Sequence, residues 1–115
     1  MTAQNRPRLR QPTVVKLGGE LLEEASSLRR LARTLAELSS RESLVVVHGG
    51  GREIDMDLAK HEIPKRSIDG LRITDAETLD IVVGVLAGRV NTRLVSAMSA
   101  EGASAVGLTG ADASL

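Results

Sequence analysis

The stretch Val45-Val46-Val47-His48-Gly49-Gly50-Gly51 constrains the fold more than any other part of the chain. The β-branched run favours a buried strand, and the glycines end that strand and leave a backbone without side chains. Such a backbone exposes its N–H groups to a ligand, and a helix that begins there adds a dipole that favours anions. The stretch therefore predicts a strand, an anion-binding turn and a helix, in that order.

A second junction of this kind lies upstream, where Val14-Val15-Lys16-Leu17 runs into Gly18-Gly19. Ligands of open α/β sheets bind outside the carboxyl ends of the strands, so we expect both glycine turns to open into one crevice. The ammonium of Lys16 either reaches a counter-charge there, such as a phosphate, or extends from the sheet edge to water. The neighbouring glycines favour the phosphate.

The hydrophobic pattern of residues 13–47 predicts a β-α-β unit. Largely apolar runs at residues 13–17 and 44–47 predict two parallel strands that are buried on both faces. The apolar stripe of the helix between them consists of Leu28, Leu31, Ala32, Leu35 and Leu38. Ser26 or Ser27 is the expected N-cap of this helix.

Downstream of the glycines, Ile54 and Leu58 predict a helix that begins near Arg52 and ends before Pro64, because proline cannot continue a helix. Residues 65–73 have mixed character and indicate a short strand or a hairpin.

The last third of the chain predicts two helices and a third strand. Thr74 and Glu77 form a capping box for the first helix. Its apolar positions are Leu79, Val82, Val83 and Leu86. The second helix covers residues 90–100 and ends at Gly102, a C′ glycine. Residues 105–108 form the predicted strand.

Composition excludes several classes of function. Lys plus Arg equal Asp plus Glu at 15 each, so no net field attracts nucleic acid or an acidic membrane. The chain lacks cysteine, which excludes disulfides and thiolate chemistry, and it lacks the aromatic residues on which single-stranded nucleic acids stack. No apolar run reaches the roughly 18 residues of a membrane span.

We expect a cytoplasmic protein with a flexible head, residues 1–12, and one domain, residues 13–115.

Two further residues are candidates for the site. The guanidinium of Arg72, in a glycine-marked apolar segment, either grips a ligand carboxylate in bidentate fashion or pairs with Asp69 or Asp75 at the surface. His48 is either a catalytic base or a hydrogen-bonded structural histidine, and the structural role is favoured because no nucleophile pairs with it in the sequence. Neither glycine cluster fits a P-loop or a dinucleotide-binding fingerprint.

The stretches VVKLGGELL, VVVHGGGREID, DGLRITDAETLDIVVGVLAGRVNTRLV and AVGLTGAD, in this order, resemble the amino acid kinase family, and within it the acetylglutamate kinase branch. The resemblance covers residues 13–115. It implies a three-layer α/β/α fold with a mainly parallel sheet, here incomplete at the C-terminus. It also implies ATP-dependent phosphorylation of the side-chain carboxylate of N-acetyl-L-glutamate in arginine biosynthesis, with Mg²⁺ accompanying ATP.

The resemblance also implies roles for particular residues. Lys16 would stabilise charge on the transferring phosphoryl group, and Gly18 and Gly19 would lie along the ATP phosphates. Gly50 and Gly51 would bind the substrate through backbone N–H groups. Arg72 would hold the substrate α-carboxylate, and the full-length enzyme would be a homo-oligomer.

Length is the departure from the family, because related enzymes are much longer and their later half supplies most of the nucleotide pocket. We therefore expect a truncated form with little or no kinase activity by itself. Two alternatives stay open. One is a non-catalytic fragment that binds a small anion or a partner, and the other is part of an acetylaminoadipate kinase, whose substrate has one more methylene. One methylene is worth only about 1 to 3 kcal/mol of discrimination.

Overall fold

The structure, a computed structural model, describes residues 11–115, and residues 1–10 of the predicted head lie outside that range. The helices and strands in chain order are β1 (Thr13–Leu17), α1 (Ala25–Ser39), β2 (Leu44–His48), α2 (Gly51–Lys60), β3 (Ser67–Ile68), β4 (Leu71–Arg72), α3 (Ala76–Val83) and α4 (Asn91–Ala100). Gly19–Leu22 and Asp112–Ser114 are 3₁₀ turns, and Gly84–Val90 is a π-helical segment between α3 and α4. The predicted α/β class is confirmed.

Strands β1 and β2 form a parallel pair, as the β-α-β pattern predicts. Thr13 lies opposite Leu44 at one end of the pair, and Leu17 lies opposite His48 at the other. Both strands therefore end at the same edge of the sheet. This register places the two glycine turns side by side.

The core lies on one face of this sheet. The strand residues that pack there, against the helices, are Val15, Leu17, Leu44 and Val46. The other face carries Val14, Val45 and Val47, which are 63%, 44% and 46% exposed. The prediction of strands buried on both faces is therefore wrong for residues 11–115, because the described helices cover only one of them.

The predicted strand at residues 105–108 does not form. The segment is extended and alternates in burial as a strand does, with Ala103 and Ala105 packed against the core. Val106 and Leu108 are 82% and 64% exposed. A strand requires a neighbour for its N–H and C=O groups, and within the described residues β1 and β2 pair only with each other.

Carboxylates cap two helices where hydroxyl groups were predicted. The side chain of Glu24 accepts hydrogen bonds from the backbone N–H groups of Ser26 at 2.8 Å and Ser27 at 2.7 Å, so α1 begins two or three residues earlier than expected. Asp75, not Thr74, is the N-cap of α3 and accepts from the N–H of Thr78 at 2.9 Å. In both helices the acidic residue nearby replaces the predicted Ser or Thr cap.

The predicted two helices of the last third are one continuous helix, Ala76–Ala100. Its end at Gly102, with φ of 87°, is confirmed as a C′ glycine. The buried face differs from the prediction, because Leu79 and Val83 are 49% and 53% exposed whereas Val85 is fully buried.

By length and composition alone this helix could cross a membrane: its most apolar 18-residue window has a mean hydropathy of 1.3 and is 22% buried. Length and composition are weak evidence, because the core helix of a soluble protein also meets both conditions. Here Val85, Val90, Leu94 and Met98 of the helix belong to the core cluster. The helix packs against α1 and α2.

The segment after α2 is a hairpin, one of the two predicted outcomes. β3 and β4 pair in antiparallel fashion, with Ile68 opposite Leu71. Asp69 and Gly70 between them have φ of 49° and 78°. Positive φ at both central residues is the geometry of a two-residue hairpin turn. The hairpin places Arg72 at its second strand.

Candidate functional site

The two glycine turns are in direct contact. A Cβ atom built on Gly19 would lie 2.8 Å from Cα and 2.9 Å from N of Gly50. The N–H of Gly49 donates a hydrogen bond to the carbonyl of Leu17 at 3.3 Å. The expectation that both turns share one edge of the sheet therefore agrees with the geometry.

Gly50 is buried, and its neighbours explain why a glycine stands there. A Cβ atom on Gly50 would lie 2.9 Å from Cδ2 of Leu86 and 3.3 Å from Cγ2 of Val90. Gly50 is thus enclosed between Gly19 and the long helix. Close packing alone therefore requires a residue without a side chain at position 50, whether or not a ligand also approaches it. The carbonyl of Gly50 accepts from the N–H of Ile54 at 3.0 Å.

Gly51 is the exposed first residue of α2. The first N–H groups of a helix have no partner within the helix, and the dipole makes this end favourable for anions. Gly51 offers no Cβ to obstruct them, and nothing lies within 4 Å of where that atom would be. This end of α2 can therefore receive a carboxylate from solvent.

Arg72 reaches this end of α2 from the hairpin. Its Nη2 lies 3.5 Å from the carbonyl of Gly51 and 2.5 Å from Oδ1 of Asp55. Asp55 is four residues after Gly51, hence on the same side of α2. The surface pairs of Arg72 with Asp69 or Asp75 that the sequence left open are not formed, and Arg66 is the partner of Asp75.

Two cations share the carboxylate of Asp55. Nζ of Lys65 lies 2.6 Å from Oδ2, while Arg72 occupies Oδ1. The hydrogen bond from Lys65, followed by that from Arg72, lowers the pKa of Asp55 below its ordinary value. The carboxylate therefore stays charged and holds the arginine in place. Nη1 of Arg72 is buried and has no hydrogen-bond partner among the described residues.

Lys16 has a different surrounding from the other candidates. Lys16 lies between Val15 and Leu17, whose side chains face the core. Its own side chain is exposed on the opposite face of the sheet, which the described helices do not cover. Within residues 11–115 it forms no ion pair. The carboxylate of Glu20 folds over Gly18, within 2.5–2.7 Å of where a Cβ would be. An anion at the Gly18 turn would meet this charge.

His48 shows a local contact that fits the structural role. Its Nδ1 lies 3.3 Å from the carbonyl of Gly49, and the ring is half-buried. No hydrogen bond joins it to a hydroxyl or carboxylate within the described part of the chain.

Sequence reasoning missed the roles of two residues, one beside Arg72 and one beside Gly50. Asp55 was detectable, because an acidic residue one helical turn after a glycine turn faces the same ligand. Leu86 gave no signal, since its contact with Gly50 depends on the course of the long helix.

The described residues offer no metal site of their own. No group of three or more His, Cys, Asp or Glu side chains is arranged to hold an ion in residues 11–115. The sheet edge where the two glycine turns meet instead combines those turns with the N–H groups at the start of α2 and the guanidinium of Arg72, which is bound to Asp55 through one nitrogen. Such an arrangement can bind and orient small carboxylates and phosphates.

Comparison with known proteins extends this description. The chain is 48% identical over 103 residues to an acetylglutamate kinase of Prochlorococcus marinus strain MIT 9303, covering 89% of this chain and 33% of that protein. It is 43% identical over 100 residues to an acetylglutamate kinase of Endomicrobium trichonymphae, covering 87% of this chain and 40% of that one. The chain thus spans between a third and two fifths of the length of these relatives.

Solved structures share the fold. The structure of smu.665 from Streptococcus mutans UA159 superposes with a TM-score of 0.69 and 26% identity, over 84% of this chain and 39% of that chain. An N-acetylglutamate synthase from Neisseria gonorrhoeae, complexed with coenzyme A and N-acetyl-glutamate, gives 0.65 and 30% identity over 76% of this chain and 20% of its own. The sequence model of the family described as "Amino acid kinase family" matches residues 11–115 of this chain. The chain belongs to the amino acid kinase family.

Proposed function

We propose that this chain forms the substrate-binding side of an acetylglutamate kinase, which transfers a phosphoryl group from ATP to the side-chain carboxylate of N-acetyl-L-glutamate. One observation carries the proposal: Gly19, Gly50 and Arg72 are gathered around the N-terminus of α2. Acyl-phosphate formation brings two anions together, so it requires mainly orientation and relief of charge. The relatives named acetylglutamate kinase support the substrate.

The amino-acid substrate would be held by its carboxylates. The guanidinium of Arg72, with Nη2 fixed on Asp55 and Nη1 without a partner among the described residues, would donate to the α-carboxylate. The N–H groups of Gly50 and Gly51 would receive the reacting end of the substrate. Because Asp55 restrains the arginine before binding, less side-chain entropy is lost when the substrate arrives.

The phosphates of ATP would lie along Gly18 and Gly19, with Lys16 as the positive charge on the transferring group. Lys16 fits this role because it is exposed and unpaired among the described residues. Mg²⁺ would be held chiefly by the phosphates, as is usual for this ion. The carboxylate attacks the γ-phosphorus, ADP leaves, and no covalent intermediate with the chain is required.

Catalysis by this chain alone is not part of the proposal. The chain spans 33% and 40% of the two acetylglutamate kinases above, and we propose that turnover requires polypeptide equivalent to the remainder. We further propose a cytoplasmic location and a homo-oligomer for the full-length form, with no role for nucleic acid or membrane. The balanced charge and the packing of the long helix in the core support the last point.

Titration calorimetry tests the proposal. We expect N-acetyl-L-glutamate to bind the 115-residue chain, acetylaminoadipate to bind at least tenfold more weakly, and N-acetyl-L-glutamine, which lacks the side-chain charge, to bind more weakly still. Lys16→Ala should weaken ATP binding and leave acetylglutamate binding unchanged. No heat of binding with acetylglutamate at millimolar concentration would contradict the proposal, and tighter binding of acetylaminoadipate would reassign the substrate.

A second candidate function is a non-catalytic amino-acid-binding module. It is favoured by the N-acetylglutamate synthase above, which shares this fold and is named for a different reaction. The two candidates differ in their response to ATP. Acetylglutamate binding together with absent ATP binding, in the presence of Mg²⁺, would favour the module.

A further inference from the structure

The long helix Ala76–Ala100 changes its repeat in the middle. Its most buried positions are Thr78, Val85, Val90, Leu94 and Met98. The last three are separated by four residues, as expected for an α-helix, whereas Val85 and Val90 are separated by five. In an α-helix at about 100° per residue, two residues five apart point about 140° away from each other. Both residues belong to the π-helical segment Gly84–Val90, whose wider turn brings their side chains to one face.

That shared face contacts the glycine turn of the crevice. The side chains nearest to a Cβ on Gly50 belong to Leu86, Val90 and Val85, at 2.9, 3.3 and 3.8 Å. All three lie within the π-helical segment. An α-helical course would leave Leu86 on the face of Val90, four residues later, but it would turn Val85 about 140° away from Val90. The contact of Val85 with Gly50 therefore depends on the wider turn of the segment.

Ion pairs attach the same region to α2. Arg89 pairs with Asp57, and Arg93 pairs with Glu53, both across to α2. Asp57 is only 8% exposed as a residue, so its pairing with Arg89 is partly shielded from water. The helix that begins at Gly51 is thus held by the long helix at its N-terminal end and along its side.

We propose that the π-helical segment Gly84–Val90 is a positioning element that fixes the turn Gly49–Gly51, and that Leu86 is its positioning residue. The part of this inference that concerns ligand affinity rests on the function proposed above. The part that concerns the turn does not. Small changes in the segment should move the N–H groups at the start of α2 and so change the affinity for the amino-acid substrate.

Two variants test the inference, and each is measured by residue-resolved amide exchange and by acetylglutamate titration. Leu86→Ala removes the nearest side-chain contact with Gly50, and Val85→Ala removes the contact that the π-helical turn supplies. Leu79→Ala, on an exposed part of the same helix, is the matched control. The reporter amides are Gly49, bonded to Leu17, and Ile54, bonded to Gly50.

We expect exchange at both reporters to rise at least tenfold more than at Leu28, whose N–H donates to Glu24 in α1 and reports loss of stability elsewhere. Acetylglutamate affinity should fall at least tenfold in both variants, and the control should change neither quantity. An equal rise at Leu28 and the reporters would overturn the positioning role. So would unchanged affinity in variants whose reporter amides exchange faster.

If Val85→Ala, at a fully buried position, does not fold, Leu86→Ala decides the matter by the same comparison. If the wild-type chain does not bind acetylglutamate, the proposed function fails, while the exchange pattern still decides whether the segment fixes the turn.

Discussion

The backbones of Gly19 and Gly50 are in contact, so a side chain at position 19 has no room toward Gly50. A Cβ on Gly19 would lie 2.8 Å from Cα of Gly50, nearer than real Cβ atoms approach other atoms. The obstructing atoms belong to the backbone and cannot rotate away. The two turns must therefore separate if Gly19 gains a side chain.

The first prediction is that Gly19→Ala destabilises the protein. Overpacking against a fixed backbone costs about 1–3 kcal/mol, and we expect a loss of this size in the free energy of unfolding from urea titration. Gly49→Ala is the matched control, because nothing lies within 4 Å of the added atom. Equal losses in the two variants would contradict the close contact described here.

The second prediction concerns Arg72. Arg72→Ala should weaken acetylglutamate binding by about ten- to a hundredfold, since hydrogen bonds to charged groups contribute about 1.5–3 kcal/mol. Asp55 keeps Lys65 as a partner in this variant, so the fold should persist. The measurement is titration calorimetry, with circular dichroism to verify folding.

Arg66→Ala is the control for this variant. Arg66 pairs with Asp75 at the surface and its side chain is 59% exposed, and such pairs contribute little to stability. Its affinity for acetylglutamate should equal that of the wild type. A comparable loss in both variants would show that general positive charge, and not the place of Arg72, attracts the substrate.

The positions of the glycine turns could be predicted from the sequence because each follows a run of β-branched residues. The strand ends, the hairpin and the C′ glycine at Gly102 depend on residues close in the sequence, so the sequence predicts them. It does not predict the caps of α1 and α3, since several side chains that accept hydrogen bonds stand within two residues of each helix start. Which one turns inward depends on how the helix docks.

Longer-range features were out of reach for a clear physical reason. The π-helical segment lies in a helix that is apolar on several sides, so the hydrophobic repeat does not reveal an added residue. The segment at residues 105–108 has the sequence of a strand, but its neighbours decide whether it becomes one. The contact of Arg72 with Asp55 joins a hairpin to α2 and has no signature in either segment alone.

The third prediction compares two neighbouring valines. Val46 packs against the core, whereas Val45 is 44% exposed on the open face of the sheet. Val46→Ala should lower the free energy of unfolding by about 1–2 kcal/mol more than Val45→Ala, because only the former loses buried surface. Both changes alter strand propensity equally, so urea titration of the pair isolates burial. Similar losses would indicate that the open face is covered in solution.

The last prediction is a dependence of stability on pH that comes from Glu24. Hydrogen bonds from the hydroxyl and N–H of Ser26, and then from Ser27, lower the pKa of Glu24 from 4.5 to about 2. A carboxyl whose pKa is lower in the folded state stabilises that state above its unfolded pKa, and the contribution disappears as the pH falls through the folded value. The stabilisation by Glu24 should therefore be complete above pH 5 and decline between about pH 4.5 and 2.

Urea midpoints of the wild type and of Glu24→Gln measure this contribution. The glutamine still accepts hydrogen bonds but does not titrate, so the difference between the two proteins should be constant above pH 5 and shrink below pH 4.5. Glu37→Gln, at an exposed position of α1, serves as the control and should follow the wild type throughout. A difference that grows as the pH falls would contradict the cap, because it would place the pKa of folded Glu24 above that of the unfolded chain.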